Sequence, residues 1–516
     1  MPTYKHGVYV REQATSLLTP VRGTSGLQVI FGTAPVAFAE DPSTCLEPKL
    51  CYTYEEAVKA LGYSDDWDSY TLCQSMDACF RVHNVAPVVF VNVYDPTKSG
   101  NSTAVAQTAM QVSGHKCVIS AVPTKSQAAE GDSGVAVQGL PSAEPVYGVI
   151  PSTVVVKATE SGAALAPGSD YTLSQDSGGY TTIALLSGGS AYSATSLYVA
   201  CSTMKPSAVT KTDVIGGYDS STGKRTGLEL VHEIYPRFGL TPGLLLAPGW
   251  SDTAEVVAAL EAHCEGISGV YQCEAIVDVP TSGSGAAAVY TAVKTAKDAL
   301  GMDNPHLIAC WPKAAVGSKI YCLSALLGAL CAQTDAENGD VPARSPSNLS
   351  LGATRMCLAD GSEVVLTQDQ ANLVNSYGVV TGLAHGSIRS WGNRTACYPE
   401  TTDPKDMWIN ARRLFTWLSN TLILTYFQRV DDIMNFRLIE SIVDSFNVAG
   451  NSYVASGYCA VCKARYDADD NPTTELLDGH ITFRIDFAPY TPAEQIEFVL
   501  TYDTNAIATA LAGGEG

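Results

Sequence analysis

The sequence predicts an α/β and α+β multidomain protein: a central α/β domain interrupted by an inserted all-β module, and a C-terminal α+β domain. Three observations lead there. Short apolar runs alternate with helix-patterned stretches over 27–96 and again over 211–363, the rhythm of strands and crossover helices on a parallel sheet. Between them, 97–210 is rich in Gly, Ser, Ala and Thr, with short strand-like runs set apart by turn clusters. The last third, from near Val364, carries helical stretches and then three strand-like runs. A chain of 516 residues has room for such a division at about 150 residues per domain.

The first element is an alternating segment, Val8, Tyr9, Val10, Arg11 and Glu12, followed by a Thr/Ser/Pro/Gly-rich stretch to Gly26. So few extended residues cannot form a stable sheet alone, so 1–26 reads as an arm whose strand pairs elsewhere. Next come a buried strand at 27–32, a helix at 55–61 opened by the capping box of Thr53 and Glu56, a helix at 72–82 and an apolar strand at 88–93. In the inserted segment the strand-like runs are 153–157, 180–186 and 196–201. The α/β rhythm resumes with strands at 244–247, 273–279 and 307–311 and helices at 253–264 and 286–300. Asp403 as N-cap, Pro404 at the first helical position and Asp406 in the first turn open a long helix through Trp408, Leu414, Leu418 and Leu422, and a second follows at 434–446. The closing strands are 458–466, 480–487 and 496–502. Pro489 and Pro492 separate the last two, so a simple hairpin is blocked and the final strand is predicted to pair elsewhere.

The charge balance of 31 basic against 52 acidic residues, −21 net, repels phosphate backbones and anionic membranes, so no direct nucleic-acid contact is expected. Only 16% of residues are charged, while Gly numbers 44 and Tyr 25, the composition of a subunit whose surface is largely covered by neighbours. The N-terminus lacks a signal-peptide core, and apolar stretches such as 324–332 fall short of the roughly 18 residues of a spanning helix, so no membrane insertion is expected. The 15 cysteines, without regular spacing, read as reduced core thiols. Cys459 and Cys462 form a C-x-x-C on a strand, where residues three apart face opposite sides, so no metal site is expected.

Gly283-Ser284-Gly285-Ala286-Ala287-Ala288 follows a strand and opens a predicted helix, with Asp303 near ribose-ligand spacing, and would suit a nucleotide-binding oxidoreductase. Against that reading, Pro280-Thr281-Ser282 lengthens what should be a tight turn. Gly131-Asp132-Ser133-Gly134 has the form of a serine-nucleophile motif, but neither His83 nor His115 stands in the context of a base. The Walker-like 217–224 has Arg225 where magnesium would need Ser or Thr. Asp65-Asp66 and Asp431-Asp432 are adjacent pairs whose side chains point apart. No catalytic constellation forms, and the expectation is a protein without catalytic residues, cofactor or metal. One charge feature stands out: nine basic and seven acidic residues over 385–465 make a local balance of +2, suited either to internal ion pairs or to an acidic partner.

Ser390-Trp391-Gly392-Asn393-Arg394-Thr395, Asp403-Pro404-Lys405-Asp406, Arg412-Arg413-Leu414-Phe415, the run 419–426, Arg437-Leu438-Ile439-Glu440, Leu477-Asp478-Gly479 and 498–503 occur in an order that resembles the tail sheath protein of contractile-tailed phages and R-type pyocins. The start at 2–12, the segment 241–249 and Pro346-Ser347-Asn348 resemble it too, so the likeness spans most of the chain. It implies a structural subunit, not an enzyme, that polymerises as stacked hexameric rings around an inner tube and contracts to drive the tube through a target cell envelope. The implied partners are further copies of the chain, the inner tail tube protein, and baseplate and tail terminator proteins. Assembly in a host bacterial cytoplasm into a virion tail or tail-like particle is implied as well. The resemblance also implies that strands exchanged between subunits complete the C-terminal domain: Val8 to Glu12 from the N-terminal arm, and Ile496, Phe498, Val499, Leu500 and Tyr502 from a C-terminal arm at 495–516. Acceptor strands carry Tyr458, Ala460, Ile481, Phe483 and Ile485. The resemblance implies that the C-terminal domain, 364–494, forms the inner layer, which nominates Arg429 and Arg437, then Arg412 and Arg413, to face the tube, while 97–210 is expected to lie outermost. A static, non-contractile tail or capsid component is the other assembly reading.

Overall fold

The computed structural model describes residues 24–41, 45–121, 144–176 and 179–512. The apolar runs become the strands of one eight-stranded sheet: β1 (Gln28–Gly32), β2 (Pro48–Cys51), β3 (Val88–Asn92), β4 (Leu244–Leu246), β5 (Glu274–Asp278), β6 (Leu307–Cys310), β7 (Val379–His385) and β8 (Ser387–Trp391). Their order is β2-β3-β1-β4-β5-β6-β7-β8. From β3 to β7 all neighbours are parallel, and β2 and β8 add antiparallel edges. Every residue of β1, β3, β4 and β6 is buried, which requires cover on both faces and explains why these strands read as unbroken apolar runs. Part of that cover is the helix Leu323–Glu337, packed against β1, β4 and β5. Asp278 at the end of β5 accepts from the Ser324 N–H at 2.9 Å, placing a carboxylate where the helix dipole favours it. Gly328 permits the close approach, because a Cβ there would lie 2.6 Å from Leu246 Cδ2.

Several expectations are corrected. A boundary at 363/364 would cut the sheet, because β7 and β8 lie beyond it. Sheet membership is settled by non-local pairing, Ala309 with Val379 and Cys310 with Val380, which local pattern does not encode. The helix expected over 286–300 is only Val293–Ala299 after a 3₁₀ turn, Tyr290–Ala292, so the Gly283–Ala288 segment is a loop and opens no helix. The helix capped by Asp403 stops after Pro404–Met407, and Trp408 is extended, with φ −102° and ψ 125°, before Ile409–Tyr426 begins.

In the inserted segment, Ser102–Gln111, Ser196–Met204 and Val155–Lys157 form one three-stranded sheet, and Lys116–Val118, Thr181–Leu185 and Tyr171–Gln175 another. Ile119, Val149, Val156, Ile183, Leu197 and Val199 belong to a buried apolar cluster separate from that of the large sheet. Ser102–Gln111 went unpredicted because its side chains are small or polar and mostly solvated, leaving little alternation to read.

His83 is buried beside the large sheet with Nδ1 2.9 Å from Gln333 Oε1. Burial pushes its pKa down, and the Gln333 contact only partly opposes this. A base depressed in the fold stabilises it while pH stays above the unfolded value of about 6.5, and that contribution is lost as pH falls through it. Denaturant midpoints measured between pH 7.5 and 5.5 should therefore fall, and His83→Gln should flatten the slope. An unchanged slope would assign the acid sensitivity to other groups.

Candidate assembly interface

After the helices Ile409–Tyr426 and Phe436–Ala455, the chain forms an antiparallel pair, β9 (Cys459–Tyr466) and β10 (Phe483–Pro489). Leu414, Trp417, Phe446, Tyr453, Cys459, Cys462 and Ala464 make a third buried cluster beneath it. Two strands alone are not a stable sheet, and the second helix supports this pair along β9. Ala464 N–H donates to Asn447 Oδ1 at 2.8 Å, and Asn447 Nδ2 donates to Ala464 O at 3.1 Å, so a side-chain amide replaces a neighbouring strand. Gly450 lets the helix reach the same edge, since a Cβ there would meet Cys462 O at 2.1 Å. The outer edge of β9 is thus occupied.

Ala464 lies opposite Ile485, and Cys462 opposite Phe487. Because the polar backbone groups of Ala464 turn outward, this is a non-hydrogen-bonded pair, and those of Ile485 also point away from the hairpin. The outer edge of β10 has no strand partner among the described residues. Of the expected acceptor residues, Phe483 and Ile485 therefore lie on the open strand. Ile481 falls ahead of it, Ala460 belongs to the helix-covered strand, and Tyr458 precedes that strand and donates its hydroxyl to Asn338 O at 3.2 Å. The C-x-x-C is also corrected. A bulge between Cys459 and Val461 adds one residue, so both sulfurs face the core, and burial pushes the Cys462 thiol up to about 12.

Beyond Glu494 the chain leaves its own body. Ile496, Phe498, Val499, Leu500 and Tyr502 are 70–95% exposed, and 490–503 has no regular structure. The strand expected at 496–502 is unpaired among the described residues, because an extended segment becomes a strand only where a ladder satisfies it. A helix, Thr504–Leu511, follows, fully exposed and capped by Asp503, which accepts from the N–H groups of Asn505 and Ala506. Sequence reading missed it, although an Asp before an Ala-rich run is a start signal. The N-terminal strand, Val8, Tyr9, Val10, Arg11 and Glu12, lies outside the described residues, as does Gly131-Asp132-Ser133-Gly134.

Two of the four nominated arginines face inward. Arg413 is 2% exposed, its guanidinium nitrogens 3.2 and 2.5 Å from the carboxylate of Asp335, itself 1% exposed, and it donates to Ser25 O at 3.0 Å. Burial opposes the charge on Arg413 and the Asp335 carboxylate more than offsets it, so its pKa lies above the ordinary value. Arg412 is buried with Nη1 3.0 Å from Asp406 Oδ1. The helix is enclosed on more than one side, so adjacent positions are both buried, which no helical periodicity announces. Arg429 is partly exposed and pairs with Asp432 at 3.3 Å, whereas Arg437 is exposed and has no ion pair among the described residues. Around them the turn of the helical hairpin presents Phe427, Val430, Ile433 and Phe436, 64–83% exposed and spaced by three. An apolar cluster of this kind marks an interaction surface, and sequence reading, drawn to the charges, passed over it.

Residues 217–224 lie in a β-hairpin, Gly217–Asp219 with Lys224–Thr226. At the carboxyl ends of β1 and β4, where a doubly wound sheet would open its crevice, Trp250 Nε1 donates to Thr71 Oγ1 at 3.1 Å, and a Cβ on Gly32 would lie 2.4 Å from that oxygen. The fold does gather Glu229, His232 and His263, which sequence spacing had not associated. Ser268 N–H donates to His232 Nδ1 at 2.9 Å, so the proton sits on Nε2 and points toward Glu229. A metal at Nε2 would have to displace that proton, and Glu229 lies 3.7 Å from His232 Nε2 and 3.4 Å from His263 Nε2, a group in polar contact.

No family model matches the chain. It is 26% identical over 511 residues to the tail sheath protein of Burkholderia phage BcepMu, covering 97% of this chain and 96% of that protein. It is 28% identical over 290 residues to a putative prophage major tail sheath protein of Pseudomonas aeruginosa, covering 55% and 71%. Its fold matches a subunit of the PVC sheath complex of an extracellular contractile injection system in the contracted state, with TM-score 0.54 and 13% identity over 98% of this chain and 99% of that one. These relatives bear out the likeness carried by the motifs: the chain is a homologue of the tail sheath proteins of phages and prophages.

Proposed function

We propose that this chain is the structural subunit of a contractile tail sheath, polymerising as stacked hexameric rings around an inner tube and contracting to drive that tube through a cell envelope. The observation that carries the reading is an unsatisfied pair within one chain. Among the described residues, an exposed apolar arm at 496–502 lacks a partner strand and β10 offers an open edge. A donor on one face and an acceptor on another make a heterologous contact, which closes into rings or propagates as a helix. The N-terminal arm, 1–26, supplies a second donated strand, 97–210 lies outermost, and baseplate and terminator proteins close the ends of the polymer, which is assembled in the host cytoplasm. Catalysis plays no part.

The tube contact is the hairpin tip. Exposed ion pairs are worth up to about 1 kcal/mol each, while covering a large apolar side chain is worth about 1.5–3 kcal/mol. Phe427, Ile433 and Phe436 therefore outweigh Arg429 and Arg437, which steer the approach to an acidic tube surface. Arg429→Glu with Arg437→Glu should lower the fraction of sheath found on tubes, raised salt should cause a milder version of the same loss in the unaltered protein, and Ile433→Asp with Phe436→Asp should yield sheath almost without tube. Electron microscopy of purified assemblies reads both, and normal tube occupancy in both variants would move the contact elsewhere.

A further inference from the structure

We infer that Arg394 and Glu494 form a latch that sets the pivot of the C-terminal arm. Glu494 lies just beyond Pro492, and its carboxylate takes two bonds from Arg394, from Nε to Oε1 at 3.2 Å and from Nη2 to Oε2 at 2.5 Å. The guanidinium is held ready for this. It lies 3.7 Å from the ring centre of Trp408 and 4.5 Å from that of Tyr398, and its side chain is 13% exposed. A planar fork stacked between rings matches a carboxylate in one direction only, which a flexible ammonium would not do. Upstream, Asn410 Nδ2 donates to Tyr490 O at 3.2 Å, so the linker is tied down along its length. Among the described residues, none after Glu494 bonds the body of the chain; the remaining contacts at 503–509 are local. Pro492, Ala493, Glu494 and Gln495 also wall a polar groove of about 570 Å³ against Asn372 and Trp391, which leaves space for the root to swing once released.

The arm therefore pivots at Gln495, and the prolines at 489 and 492 are not its hinge. The latch holds the donor strand at a fixed exit, so less of its freedom is lost when it docks. This rests on the strand-donation reading, and the test separates the two. In the full chain, Glu494→Gln keeps the shape of the side chain and removes its charge. Limited proteolysis within 490–496 in the free subunit should quicken severalfold, with the helix at 409–426 still uncut, and polymerisation should slow. Glu494→Asp, which keeps the charge, should recover part of the effect. Unaltered cleavage in Glu494→Gln, or faster cleavage with an unaltered polymerisation rate, would overturn the latch. Deleting 496–516 tests strand donation itself: polymerisation that survives this deletion overturns that reading and with it the arm's role, whatever the cleavage at 490–496.

Discussion

Replacing Arg413 with methionine is expected to destabilise the folded subunit by about 3–5 kcal/mol, the cost of leaving a buried carboxylate without its partner. Asp335 is at least as buried as Arg413 and has no water to turn to. The same guanidinium bonds Ser25 O, and Thr416 one turn along donates to Glu274 Oε1 at 2.6 Å, so the variant also loosens the attachment of the C-terminal helix to the large sheet. Denaturant unfolding of the free subunit measures the effect. Arg413→Met combined with Asp335→Leu should recover most of it, because a shape-matched apolar pair removes both charges. A single-variant loss below about 1 kcal/mol would mean that water reaches Asp335 and that the pair is not closed.

Removal of the arms should abolish assembly without unfolding the subunit. The five apolar side chains at 496–502 contribute nothing to the core of their own chain, so deleting 496–516 should leave the unfolding midpoint unchanged while sedimentation shows only free subunits. Val499→Pro should act in the same direction by removing a ladder donor. Deleting 1–15 tests the other donated strand by the same readout. Polymers of normal length from either deletion would show that contacts between subunit bodies suffice. On the acceptor side, a proline at Ile485, whose N–H faces the open edge, should reproduce the arm deletion while the hairpin itself persists.

Much of this was legible in the residue order, because it is decided locally. Thr53 as a cap with Glu56 three residues on, Asp403 before Pro404, and unbroken apolar runs at β1, β3 and β4 specify helix starts and doubly covered strands through contacts within a few residues. That 496–502 would find no strand partner nearby was legible as well, since prolines set it apart from its predecessor, and among the described residues it has none. Other features depend on what arrives from far along the chain. Whether Arg413 meets solvent or Asp335 is settled across 78 positions, and Asn447 closes one edge of the hairpin only once the second helix lies against β9. The bulge beside Ala460 turns Cys459 and Cys462 to the same side, and an alternation rule has no term for an extra residue. Sequence alone therefore determined most of the elements and the isolation of 496–502 from its neighbouring strands, since propensity, capping and patterning act over short range. Only the tertiary structure decided which edge is open, which arginines are buried and which apolar side chains are left in water, because burial is a property of the surface that comes to face a residue.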